Sequence, residues 1–317
     1  SALEALTCIK ESGIRLKRPV EMVALIKEEA TEFLGGLFGS KAICGMLPDN
    51  YADITRDKST GRLLRDAMKE FGMGLDPDRI RASMRGREEF YRFFELHIEQ
   101  AGLLEERDLP VGIVTTIAGI HQMKFELTGR SAHAGAMPME QRKDAMAAAA
   151  SIACEVERLA KNSGSETRAT VGYISAYPGE HNIIAGNATI PVDIREKNPV
   201  VRKRIFDSLL QCVEQECRSR GVKSEIQLTL DSPPVNCDPC IVNLFENAAK
   251  QQGVPFMEIV SYAAHDAMNM ATLCPMGMIF VRSKDGLSHC PEEFTSKEDL
   301  AAGANVLLNS MIQAASE

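Results

Sequence analysis

The sequence predicts an α/β fold in which one domain of alternating helices and strands is interrupted by an inserted α+β domain. Two observations carry this. Toward both ends of the chain, short apolar runs alternate with helical patterns, the order of a mostly parallel sheet. The middle runs strand, helix, strand, strand, helix, strand, which is the split βαβ order of a ferredoxin-like unit. The boundaries fall near residues 115 and 231, so the outer domain takes 1–115 and 231–317 and the inserted one 116–230.

In chain order, Leu3, Leu6 and Ile9 share one helix face, with Gly13 as the stop. Pro19 leads into Val20–Ile26, an apolar run that predicts a buried strand. A chain opening on helix and then strand leads us to expect a further βα unit upstream of residue 1. Gly61–Phe71 has a helical pattern and Phe93–Leu96 that of a strand. In the middle, His121–Leu127 alternates as a half-buried strand and Gln141–Lys161 is an Ala-rich helix. Thr167–Ser175 and Ala188–Arg195 are strands, Val200–Arg220 is a helix and Lys223–Leu230 a strand. The outer pattern then resumes with helix Ile241–Gln252, strand Phe256–Ser261, helix Asp266–Leu273 and strand Met276–Val281.

Composition narrows the function. A net charge of −8 argues against nucleic acid, because phosphate binding needs Lys and Arg in excess on one face. Arg81, Arg85 and Arg87 are taken as a solvated face. No apolar run approaches the roughly 20 residues that cross a bilayer, so no membrane partner is expected. Nine cysteines, odd in number and without a framework spacing, predict a reducing, cytoplasmic setting. Cys237 and Cys240 form a single C-x-x-C, which without a second pair is a weak zinc signal.

The chemistry-bearing residues gather after the outer strands. Glu28 and Glu29 follow Val20–Ile26, His97 follows Phe93–Leu96, and His289 lies in the polar loop beyond Met276–Val281. Ligands of open α/β sheets collect outside the carboxyl ends of the strands. Carboxylate oxygen and imidazole nitrogen suit Zn²⁺ or Mn²⁺. In an adjacent Glu pair, one carboxylate can bind metal while its neighbour acts as general base toward water. The plainer reading of each feature alone is a solvated Glu pair and hydrogen-bonded structural histidines.

Four motifs in order go further. They are Glu95-Leu96-His97-Ile98-Glu99-Gln100, Gly129–Gly135 (GRSAHAG) with Pro138-Met139, Ala263–Ala267 (AAHDA), and Gly286-Leu287-Ser288-His289. Together they resemble the hydantoinase/carbamoylase family of amidohydrolases over essentially the whole chain. The resemblance implies a zinc-exopeptidase-like α/β catalytic domain with an inserted ferredoxin-like lid and dimerisation domain. It also implies hydrolysis of a linear C–N amide or ureido bond by metal-activated water. The substrate class is a small carbamoyl or ureido acid, with an N-carbamoyl-L-amino acid first and allantoate next, and the assembly a homodimer.

By the same resemblance Glu28 is the general base, and Glu29, His97 and His289 are metal ligands. His133 polarises the scissile carbonyl, and Asn182, Arg195 and His265 hold the substrate. Arg195 suits that role physically, since a guanidinium grips a carboxylate through two hydrogen bonds. Gln100 is either substrate-side or a structural amide, and His121 and His181 match no functional position.

The chain also departs from the family pattern. Two divalent ions (Zn or Mn) are implied, yet the family's Gly-x-His-x-Asp and GGxxDG elements do not occur, and no His precedes His97. The ligand set is therefore expected to be incomplete here. Lys27-Glu28-Glu29 and Ala30-Thr31-Glu32-Phe33 also differ from the usual residues around the Glu pair. These departures keep open an alternative from another class: a catalytically silent binding or dimerising homologue.

Overall fold

The computed structural model describes all residues except Ala30, Thr31, Leu34, 73–75 and Ser165. The elements are α1 (Ala2–Glu11), α2 (Phe38–Ile43), α3 (Tyr51–Ile54), α4 (Leu64–Phe71), β1 (Phe93–Ile98), α5 (Leu103–Glu106) and β2 (Val111–Ile117). There follow β3 (Gly119–Thr128), α6 (Ala145–Ser163), β4 (Arg168–Val171), β5 (Ser175–Tyr177), β6 (Asn187–Glu196), α7 (Pro199–Arg220) and β7 (Lys223–Ser232). The last are β8 (Val235–Asn236), α8 (Pro239–Gln252), β9 (Phe256–Ser261), α9 (Asp266–Met270), β10 (Met276–Val281) and α10 (Lys297–Ser316). The chain divides into two compact units, Ser1–Ile117 with Asn236–Glu317, and Ala118–Val235.

The first unit holds a five-stranded sheet of order β1-β10-β2-β8, with β9 also on β2. β1 runs parallel to β10 and β9 parallel to β2, whereas β10 and β2 are antiparallel. The sheet is thus mixed rather than mostly parallel. The reason is β2, a β-branched run just before the boundary that the periodicity reading left out. Its core joins Val111, Ile113 and Ile279 of the sheet to Ile241 and Phe245 of α8, Val306 and Leu307 of α10, and Ile9 of α1. α8 starts where it does because Asp238 accepts from the amides of Cys240 and Ile241, with Pro239 in the first turn. It packs so closely that a Cβ on Gly277 would lie 2.3 Å from Cγ2 of Ile241, so only glycine fits there.

The expected strand at Val20–Ile26 does not form. Its end is drawn into other bonds: the amides of Leu37, Phe38 and Gly39, at the start of α2, donate to the carbonyls of Glu28, Lys27 and Ile26. Helix amides in the first turn have no partner within the helix, and here the extended segment supplies their acceptors instead of pairing in the sheet. Met22, Val23 and Ile26 are accordingly exposed. β1 in turn continues through Ile98, so His97 lies within the strand rather than beyond it. Ala30 and Thr31, which depart from the family pattern, lie outside the described residues.

The second unit is an antiparallel sheet of order β4-β6-β3-β7, with β5 also on β6. Met123, Phe125, Leu127, Ile190, Val192 and Ile194 meet Ala148, Ala149 and Ile152 of α6 and Ile205, Leu209 and Val213 of α7 in a continuous core. Asp144 caps α6 and Asn198 caps α7, while Gly221 ends α7 with φ of 64°.

Candidate active site

In the first unit the Glu pair sits on a loop held by the three α2 amides. Lys27 just before it has φ of 53°, a left-handed backbone turn at the start of the pair. The loop and α2 approach so closely that a Cβ on Gly39 would lie 2.9 Å from the Ile26 nitrogen. Glu29 Oε1 stands 3.2 Å from His289 Nε2. Two of the sequence-predicted ligands are therefore brought together across the length of the chain.

The His289 loop is ordered by its own bonds. Glu293 accepts from the His289 amide at 3.1 Å and from Ser288 Oγ at 2.8 Å. Gln100 donates to Ser288 Oγ at 3.1 Å and lies 3.4 Å from His289 Nε2. Gln100 thus supports the His289 loop.

His97 lies 2.8 Å from the Ile98 carbonyl through Nδ1. A carbonyl only accepts, so Nδ1 carries a proton and Nε2 is the nitrogen left for a metal, the arrangement in which one ring nitrogen is fixed by the backbone and the other can ligate. The ring packs edge-on against His265, centroids 4.6 Å apart. His265 is fully buried, with Nε2 2.8 Å from Ser261 Oγ. Burial first, and then His97, push its pKa down to about 3. Its 3.8 Å approach to Glu95 is accordingly a neutral contact and not an ion pair.

Sequence reading did not assign Glu95, Asp266 or Ser40, and all three belong to this neighbourhood. Glu95 accepts from the Ala267 amide at 2.9 Å. Its carboxyl is pushed up to about 8 by burial and by the charges of Asp266 and Glu28. Glu28 is pushed up to about 7 by burial first, then by Glu29 and Asp266, against His289. Asp266 is raised by burial and is bonded by Ser40. Glu28, Glu95, His97 and Asp266 line a cavity of about 580 Å³ whose other walls include Phe93, Leu96, Leu307 and Met311. Glu95 had a signal in sequence: two residues before His97 on a strand, it shares that residue's face. Ser40 had none.

The second unit carries the other three predicted residues. His133 Nδ1 accepts from the amides of Gly135 and Ala136 at 3.1 and 3.2 Å. The proton is therefore on Nε2, which makes the exposed ring a donor. Residues 132–134 pair with 182–184, the Ala134 amide donating to the Asn182 carbonyl at 2.8 Å, which sets Asn182 beside His133. Arg195 on β6 is gripped by Asp193 through Nε at 2.8 Å and Nη2 at 3.1 Å, and Gln122 holds the same Asp193 at 2.8 Å.

As a donor set, a Glu29 carboxylate beside a His289 imidazole fits a divalent ion, and His97 has its Nε2 to offer. Among the described residues, however, no three His, Cys, Asp or Glu side chains are grouped to hold one ion.

The family model of peptidase family M20/M25/M40 matches residues 1–313. An N-carbamoyl-L-amino acid amidohydrolase of Geobacillus stearothermophilus is 40% identical over 99% of this chain and 76% of its own length. An allantoate deiminase of Arabidopsis thaliana is 33% identical over 97% of this chain and 64% of its own. Among solved structures, a hydantoinase/carbamoylase family amidase from Burkholderia multivorans superposes with a TM-score of 0.88 at 31% identity, covering 99% of this chain and 75% of that one. With a family model spanning nearly all of it and relatives this similar at this coverage, the chain belongs to the peptidase family M20/M25/M40 and, within it, to the hydantoinase/carbamoylase amidohydrolases.

Proposed function

We propose that the chain is a metal-dependent amidohydrolase that cleaves the C–N bond of an N-carbamoyl-L-amino acid. The observation that carries this is the Glu28-Glu29 pair, with Glu29 3.2 Å from His289 and Glu28 pushed up to about 7 beside it. One carboxylate is placed with an imidazole as a ligand, and its neighbour is tuned near neutrality as a base, where general bases work best. The names of the relatives support the substrate class.

Glu29, His97 and His289 would hold divalent metal, Zn or Mn. When bound, it polarises the carbonyl and makes water more acidic. Glu28 takes the water's proton and delivers it to the leaving nitrogen. The Nε2–H of His133 donates to the carbonyl oxygen as negative charge develops there. Asn182 and Arg195 hold the substrate's carboxylate. His265, expected to hold substrate as well, is wholly buried and is assigned instead to packing behind His97, because a side chain with no exposed surface has no face to offer a substrate.

The test is hydrolysis after loading with Mn²⁺ or Zn²⁺. An N-carbamoyl-L-amino acid should be turned over at least about tenfold faster, in kcat/KM, than allantoate or ureidoglycolate, a margin of roughly 1.4 kcal/mol. A chelator should abolish the activity. Faster turnover of allantoate reassigns the substrate. A folded, metal-loaded chain inert toward all three favours the silent homologue.

The second unit supports a homodimer reading. β7 ends the order β4-β6-β3-β7, and Ile226, Leu228 and Leu230 along it are exposed. An unpaired edge of this kind invites a second copy, in the two-fold pairing common to soluble homo-oligomers. Light scattering at micromolar concentration should return twice the 34.7 kDa of the chain, and a monomer would overturn the pairing. The nine free cysteines support a cytoplasmic setting. No helix among the described residues is long and apolar enough to cross a membrane.

A further inference from the structure

We infer that Ser40 is a positioning residue, the link that holds the Glu28 loop at a set place against the His97–His265 pair. The inference rests on the reading of Glu28 as the base. The link has two ends. At one, the amides of Leu37, Phe38 and Gly39 are spent on the carbonyls of Glu28, Lys27 and Ile26 at 2.7, 3.1 and 3.0 Å, so the loop moves with α2. At the other, Ser40 donates to the Asp266 carboxylate through its hydroxyl and also through its amide, while Asn269 Nδ2 donates to the Ser40 hydroxyl at 2.8 Å. The hydroxyl therefore both accepts and donates, and it is wholly buried, with Asp266 5% exposed.

Asp266 is itself immobilised beside the site. It follows His265, whose ring lies on His97, and precedes Ala267, whose amide is bonded to Glu95. A chain of contacts thus runs from the Glu28 carbonyl through α2, Ser40 and Asp266 to the histidine pair. Hydrogen bonds to a buried carboxylate are worth more than neutral ones, and stranding such a group is costly. A buried Ser–Asp contact could serve stability alone. What points to positioning is that both ends terminate on groups of the site, joined by a Ser40–Asp266 contact between residues 226 apart in sequence.

The experiment compares Ser40→Ala and Ser40→Thr with the parent chain by amide hydrogen exchange over residues 26–40 and by steady-state kinetics with Mn²⁺ loaded. In Ser40→Ala, the amides of Leu37, Phe38 and Gly39 should exchange at least about tenfold faster, the size expected for losing a bond to a charged group. kcat should fall by at least about tenfold with KM within about twofold, the split of an interaction that matters in the transition state. Ser40→Thr, which keeps the hydroxyl, should restore both. Unchanged exchange in Ser40→Ala overturns the link, and faster exchange with unchanged kcat overturns its positioning role. If Ser40→Ala does not fold, Asp266→Asn is judged by the same two measures. Failure of the underlying reading is distinguishable: Glu28→Gln would then retain full turnover whatever Ser40→Ala does to exchange.

Discussion

Replacing Glu28 with Gln should lower kcat by about 10²- to 10⁴-fold while KM stays within about threefold, the cost of losing a positioned proton carrier. Gln keeps the shape and the loop's backbone bonds but cannot take a proton. The environment also predicts a titration. With its carboxyl pushed up to about 7, Glu28 holds its proton to far higher pH than an ordinary glutamate, because burial and the Glu29 and Asp266 charges disfavour the anion. A divalent cation, if held by Glu29 and His289 as proposed, would oppose those charges and favour loss of the Glu28 proton. Metal uptake near pH 7 should therefore release protons, and affinity should rise with pH through that region.

The sign for stability is the reverse. Without metal, Glu28 and Glu95 stay protonated longer in the folded chain than in the unfolded one, so the fold binds more protons between about 4.5 and 7–8. Stability then falls as pH rises across that window, less steeply below about 6.5, where His265, held neutral by burial in the fold, works in the opposite direction. Thermal melts of metal-free chain from pH 5 to 8, with Glu28→Gln beside them, measure this. A Tm that climbs across the window contradicts the assignment.

Arg195→Ala should reduce kcat/KM for an N-carbamoyl-L-amino acid by roughly 30- to 4000-fold, from about 2–5 kcal/mol for a desolvated charge pair that loses one partner. The fork of Asp193 fixes the guanidinium plane before any substrate arrives, which lowers the ordering cost of binding. The corresponding amino acid amide, with no carboxylate to hold, should be nearly indifferent to the change. Arg195→Lys should recover only part, since an ammonium cannot form the planar two-bond grip. Equal losses on both substrates would mean that Arg195 shapes the second unit and does not read the substrate.

The fold class and the family were legible in the sequence because period-2 and helical patterns are local, and the motifs are contiguous. β9 and β10 lie where their apolar runs placed them. Val20–Ile26 misled because a strand's apolar pattern says nothing about which neighbour takes its hydrogen bonds, and here the start of α2 takes those at its end. The pairing of Glu29 with His289 was expected only as a convergence at strand ends. Its distance, and the proton positions on His97 and His133, needed backbone atoms that no motif specifies. Ser40 was invisible for the same reason: a serine in a helical run looks like any other until Asp266 stands opposite it.

The contact between Ser40 and Asp266 also has a kinetic side. It spans 226 residues, and the unit Ala118–Val235, with a core of its own, lies wholly within that span. Chain ends entering and leaving that unit are tied together in the first unit, where Thr116 Oγ1 lies 3.0 Å from Asn236 Oδ1 and the Cys237 amide donates to the Thr115 carbonyl at 2.9 Å. If the inserted unit collapses first, the loop that Ser40 and Asp266 must close is roughly halved, which eases closure by only about 0.6 kcal/mol. The larger effect is order of events, since non-local pairings form late when much chain must be arranged before them. On that order the Glu28–Glu29 loop and the histidines of the first unit would meet late in folding. A slow or unstable insert would then delay assembly of that part of the site without altering Glu28, Glu29, His97 or His289.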